Sequence, residues 1–163
     1  MPNMNWSELS SLQLGRYAEY YAKMEFASYG FEVYTSEVDD HGVDFIVKAG
    51  NNYYEIQVKG TRNNNTVNIP KTKMDVNDAN RLVCYIRFIN AILPDVYVIP
   101  ATAWQTPNGI IAEHNYGNEG QTSTPEWSIQ YSQKNKSQIE CYEAKTFLSF
   151  LKVTNIQGGS ANA

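Results

Sequence analysis

The stretch GVDFIVKAGNNYYEIQVKG, residues 42–60, decides how this chain is read. Val43, Phe45 and Val47 alternate with Asp44, Ile46 and Lys48, the period-two pattern of a strand with two different faces. Residues 53–59 repeat it, with Tyr54, Ile56 and Val58 on one side and Tyr53, Glu55, Gln57 and Lys59 on the other. Between them, Ala49-Gly50-Asn51-Asn52 has the chemistry of a tight hairpin turn, because Gly and Asn tolerate positive φ. With Gly50-Asn51 as the loop, Asp44 falls opposite Gln57; with Asn51-Asn52 as the loop, it falls opposite Lys59. Either register places Asp44, Gln57 and Lys59 on one face, since side chains alternate with a period of two. An acid, an amide and an amine therefore converge on one side of one hairpin.

The surrounding chain supports a folded single domain. At 163 residues it is long enough for one domain with a real core. Its 42% hydrophobic and 13% aromatic content is that of a globular protein. No apolar run approaches the roughly 18 residues of a membrane span, and the first residues, MPNMNWSELS, lack signal-peptide regions. The two cysteines, Cys84 and Cys141, make no disulfide framework and no Cys/His zinc spacing, so a reduced, cytoplasmic setting is expected.

A net charge of −4 does not advertise a nucleic-acid binder, but its distribution says more. Residues 1–47 balance at −6, residues 48–87 at +4 and the remainder at −2. The basic excess begins at the hairpin and runs downstream, weak support for a phosphate-bearing partner.

Ser10 followed by Gln13 forms a capping-box pattern for a helix running to Tyr29, with Gly30 as its C-terminal stop. Leu12, Gly15, Ala22 and Phe26 stand three, four or seven residues from Glu19, which points this acid inward; an ion pair with Lys23 is the plainer alternative. Residues 31–35, 66–69, 81–89, 96–99 and 127–131 read as further strands, and 105–125 as a long loop or two-strand excursion. Ser137 with Glu140 offers a second capping box, leading into a helix ending near Lys152. The predicted organisation is one α/β (α+β) domain over 1–154, a mixed sheet flanked by helices, with a disordered tail over 155–163.

The order helix-Glu, strand-Asp, then a pair ending in Lys resembles the PD-(D/E)XK nuclease superfamily. The pieces are Glu19 in GRYAEYYAK, Asp44 in GVDFIV, and Gln57-Val58-Lys59 in EIQVKG. Gln57 stands where the family usually has an acid, which resembles the Q-x-K variant of restriction-type and group I intron homing endonucleases. The resemblance covers residues 12–60 well and implies a restriction-endonuclease-like core, hydrolysis of DNA, an Mg²⁺ or Mn²⁺ cofactor, and a homodimer or larger homo-oligomer. Phosphodiester hydrolysis suits a hard cation held by oxygens. Glu19, Asp44, Gln57 and the backbone carbonyl of Val58 would supply those oxygens, and Lys59 would orient or deprotonate a water or stabilise charge. Glu55 shares the face of Gln57 about 6–7 Å along the strand and is a minor candidate. Arg62, Lys71 and Lys73 follow the hairpin as candidate phosphate contacts. His41, beside Asp39 and Asp40, reads as a turn residue. His114 lacks metal-binding company, and Trp6, Trp104 and Trp127 read as packing residues. A catalytically silent relative that binds nucleic acid or a protein partner is the alternative, as is action on RNA.

Overall fold

The computed structural model describes residues 1–35, 37, 41–117, 119–120 and 122–159. The hairpin forms as β2 (Phe45–Ala49) and β3 (Asn52–Arg62), with Ala49 opposite Asn52 and Phe45 opposite Ile56. Gly50 takes a φ of 60°, which selects the Gly50-Asn51 turn over the alternative register. β1 (Glu32–Thr35) pairs antiparallel with β2 on one side, while β5 (Arg81–Phe88) runs parallel to β3 on the other. β6 (Asp95–Pro100) closes this five-stranded mixed sheet antiparallel to β5, in the order β1-β2-β3-β5-β6. A parallel neighbour requires a crossover. Here the crossover leaves the sheet and contributes β4 (Val67–Pro70) to a second, antiparallel sheet with β7 (Ile111–His114) and β8 (Glu126–Ile129), in the order β4-β8-β7.

β5 is buried along its whole length, and its side chains divide by parity between two cores. Leu82, Cys84, Ile86 and Phe88 join Phe45, Val47 and Ile56 beneath two helices, α1 (Ser11–Ser28) and α2 (Ala144–Gly159). Val83 and Tyr85 face the other way, into an apolar layer with Ile69, Trp104, Ile110 and Ile129 shared with the second sheet. The helix layer and the second sheet thus cover opposite faces of the five-stranded sheet. Trp6 and Trp104 are fully buried, as packing residues.

α1 begins where its capping box predicts: Ser10 accepts from the Gln13 N–H and the Gln13 side chain accepts from the Ser10 N–H. Its apolar stripe is Leu14, Ala18, Ala22 and Phe26, at i, i+4 spacing, whereas Leu12 is 84% exposed. Glu19 therefore sits beside the buried stripe rather than within it, and its partner is Arg16 at 3.2 Å rather than Lys23. The second capping box does not form. Ser137 lies inside a 3-10 turn, Gln133–Gln138, capped by Ser132. Fully buried Ile139 and the Gln138 carboxamide, which accepts from Gly109 N–H, tie this segment to the second sheet's core. Tertiary packing overrides the local cap, and α2 starts only at Ala144. It then runs beyond Lys152 to Gly159, so residues 155–159 of the expected tail are helical; residues 160–163 lie outside the described residues. Among the described residues, no helix is long and apolar enough to cross a membrane.

The contact that seats α1 is between the Gly60 backbone and the Ala18 methyl. A Cβ placed on Gly60 would lie 2.8 Å from the Ala18 Cβ and 3.3 Å from the Phe88 ring. Only glycine lets the helix approach β3 this closely. We expect Gly60→Val to cost about 2 kcal/mol of stability through overpacking, read as a lower urea midpoint at unchanged slope; an unshifted midpoint would refute this packing account. Burial pushes the Cys84 thiol upward, helped by the charges of Glu25 and Asp44, whereas Cys141 is exposed. A thiol reagent should titrate one cysteine in the native protein and two after unfolding; two fast native thiols would contradict the burial.

Candidate active site

β3 outlasts its partner β2, and the site lies where the pairing stops. β2 pairs with β3 only as far as Phe45 opposite Ile56, while β3 continues to Arg62 alongside β5. Asp44 N–H still donates to Ile56 O at 2.8 Å. One residue pair further, the Asp44 carboxylate replaces the missing strand: its Oδ2 accepts from Val58 N–H at 2.7 Å. An N–H···carboxylate bond of this kind is charge-assisted, which fixes both the carboxylate and the strand edge. In an antiparallel ladder one residue's N–H and C=O point to the same side, so the Val58 carbonyl lies on this edge as well.

A cavity of about 380 Å³ opens at this edge, lined by Glu19, Gly42, Asp44, Gln57, Val58, Lys59, Pro70 and Lys73. The structure thus gathers all four sequence-predicted catalytic residues into one pocket. Glu19 reaches it because Ala18, its neighbour, is the residue pressed against Gly60. Its side chain is 30% exposed and its carboxylate is shared with Arg16, whose side chain is 67% exposed. Such an exposed pair is weak and screened by salt, so it holds Glu19 only loosely. Lys59 makes no hydrogen bond or ion pair among the described residues, leaving its ammonium available to the pocket.

Gln57 is the unusual member. It is 4% exposed, and its Oε1 is buried without any hydrogen-bond partner. Its amide nitrogen lies against the backbone of Gly42, where a Cβ would sit 2.8 Å from Nε2 and 3.3 Å from Lys73 O. Gly42 has a φ of 76°, so both conformation and space require glycine there. Leaving an acceptor buried and unpaired costs stability, and such lapses concentrate at functional sites. The residues fit a hard divalent cation. Two carboxylates, a bare amide oxygen and a strand-edge carbonyl are the oxygen donors Mg²⁺ or Mn²⁺ takes. No group of three or more His, Cys, Asp and Glu is assembled among the described residues, so the donor set is mixed.

The other candidates lie elsewhere. Glu55 turns to Arg81, with Arg81 Nη2 at 2.9 Å. Arg62 donates to the backbone oxygens of Trp6 and Leu9, anchoring the N-terminal segment. Lys71 is engaged by Glu113 and Asn115 at 2.7 Å each and lies over the Trp127 ring. Of the three basic candidates, Lys73 alone lines the cavity. His41 contributes its carbonyl to Arg81; Asp39 and Asp40 lie outside the described residues. His114 contacts Gln130 and stacks near Tyr116 on the second sheet. The cavity walls made by Gly42, Pro70 and Lys73 depend on how two loops fold back over β3. Of these, Lys73 carried a sequence signal in its charge and Gly42 in its place flanking the first strand of the hairpin, whereas Pro70 carried none.

No protein-family model matches the chain, and no curated protein does. Among solved structures it is similar to a bacterial homing endonuclease, I-Ssp6803I, with a TM-score of 0.58 and 12% identity, covering 94% of this chain and 99% of that one. It is also similar to Hjc, a Holliday junction resolvase of the archaeon Archaeoglobus fulgidus, with a TM-score of 0.45 and 12% identity over 71% of this chain and 83% of the other. The chain has the restriction-endonuclease-like fold, a mixed sheet flanked by helices. Two of its structural neighbours are thus a nuclease and a resolvase.

If Gln57 is retained at the expense of stability, removing its polar head should strengthen the fold. We expect Gln57→Met to raise unfolding free energy by about 1 kcal/mol in urea titrations, because an unpaired acceptor leaves the interior. A destabilised Gln57→Met protein would mean the amide is a structural bond rather than a reserved one.

Proposed function

We propose that this protein is a divalent-metal-dependent endonuclease hydrolysing DNA phosphodiester bonds. The observation that carries the proposal is the buried, unpartnered Oε1 of Gln57 in a cavity shared with Asp44, Glu19 and Lys59. Glu19, Asp44, Gln57 Oε1 and the Val58 carbonyl would hold Mg²⁺ or Mn²⁺. When bound, the cation supplies Lewis-acid activation of a water and neutralises charge building on the phosphate.

The chain's own residues do the rest. Asp44 keeps one carboxylate oxygen on Val58 N–H, so its orientation is set before any ligand arrives. Lys59, on the inner face of β3, stands where an ammonium can orient the attacking water, move its proton, or stabilise charge on the phosphate. Lys73 supplies a second positive charge at the rim for the scissile strand. Gln57 leaves the donor set one negative charge short of an acid-x-Lys site, so cation binding should be correspondingly weaker. Such enzymes cut duplexes by pairing subunits, and a homodimer or larger homo-oligomer is part of the proposal; native mass spectrometry with and without DNA tests it.

Supercoiled-plasmid cleavage in Mg²⁺ and in Mn²⁺, with a chelator control, is the direct test. Lys59→Ala should lose at least ~100-fold in rate, the usual range for a positioned proton-transfer or charge-stabilising group. Gln57→Glu should bind Mg²⁺ more tightly by calorimetry, and unchanged or weaker binding would count against a metal-ligand role for this position. A second reading, a silent relative that binds nucleic acid or a protein, is favoured by the missing third acid, by the mixed donor set and by the net charge of −4. It predicts binding indifferent to chelators and to Asp44→Ala.

A further inference from the structure

We infer that Arg81 is the positioning residue of this site, the clamp that keeps the Gln57 amide in place, and that Glu55 serves as its counter-charge rather than as a ligand. The inference rests on the nuclease reading for what the amide is positioned to do, though not for the clamp itself. Arg81 opens β5 directly opposite Glu55 on β3, and two residues further along the same face Val83 stands opposite Gln57. Its side chain is 9% exposed, and its guanidinium is satisfied in three directions. Nε and Nη2 donate to Glu55 Oε2 at 3.2 and 2.9 Å. Nη1 donates to Lys73 O at 3.0 Å and to His41 O at 3.3 Å.

Those two carbonyls belong to the two segments that wall the cavity. His41 precedes Gly42, whose backbone abuts the Gln57 amide nitrogen, and Lys73 O lies beside the same point. One planar guanidinium therefore ties β3, the segment entering β2 and the segment after β4 to one another around Gln57. A planar fork with several fixed donors can bridge three acceptors, whereas a lysine ammonium is a compact point charge. Glu55 keeps the buried cation compensated, without which it would be costly to bury. With the walls fixed, the amide nitrogen is held against Gly42 and the side chain cannot swing out of its place in the cavity wall. Groups that orient metal ligands in this way typically change affinity 10–100-fold when lost.

The test uses Arg81→Lys and the double variant Glu55→Gln/Arg81→Met, which removes the buried pair without stranding a charge. Two readouts are taken: the Gln57 side-chain amide resonances in metal-free protein, assigned by their loss in Gln57→Met, and Mn²⁺ affinity by calorimetry. Wild-type protein should show a dispersed, solvent-protected Gln57 amide pair. Both variants should keep the wild-type circular dichroism, move that pair to the positions of a mobile glutamine, and bind Mn²⁺ at least ~10-fold more weakly. An unmoved amide pair in both folded variants overturns the positioning role. Wild-type protein that binds no Mn²⁺ overturns the nuclease reading instead, and the amide resonances still decide the clamp.

Discussion

The hydrogen bond from Val58 N–H to the Asp44 carboxylate is the constraint on which this site depends. A strand that outruns its partner leaves backbone groups exposed at its edge, and these must find water, another strand or a side chain. Here an acid at the start of the shorter strand takes that place. The substitution sets the Asp44 carboxylate at the sheet edge, leaves the Val58 carbonyl beside it, and opens the space into which Glu19, Gln57 and Lys59 look. Lengthening β2 by one pair would close the ladder and remove the cavity together.

Around that edge, each wall comes from a different layer. The helix layer brings Glu19 through the Ala18–Gly60 contact. The sheet itself supplies Asp44, Gln57 and Lys59. The crossover toward the second sheet adds Pro70 and Lys73, held by Arg81. The pocket sits where the three layers meet, and Gln57 Oε1 is its buried acceptor without a partner.

Much of this was legible in the sequence because the deciding features are local. The hairpin alternation, the turn residues and the Ser10–Gln13 capping box each span only a few positions, and the parity argument survives an error in turn register. The four pocket residues follow from those features and from their order along the chain. What escaped was non-local or overridden. The pairing of Glu55 with Arg81 arises from a parallel register between strands separated by a crossover, and nothing in either segment alone announces it. The second sheet depends on short strands, four residues each, scattered over 67–129. The Ser137–Glu140 cap pattern lost to the burial of Ile139, and Arg62 and Lys71, read from the sequence as phosphate contacts, are engaged by backbone and carboxylate acceptors from distant segments.

The parallel pairing of β3 with β5 also fixes an order of assembly. The hairpin of β2 and β3 closes over a two-residue turn, an inexpensive loop that brings Asp44, Gln57 and Val58 together on microsecond timescales. Arg81, Pro70 and Lys73 reach the same place only when β5 docks after the intervening excursion to the second sheet, and long-range pairings of this kind form late. The chain therefore brings Asp44, Gln57 and Lys59 together in the earliest hairpin but lacks the walls that orient them until the sheet is complete. The pocket's geometry is gated by topology: a partly folded chain exposes the acids and the lysine without holding them against common walls.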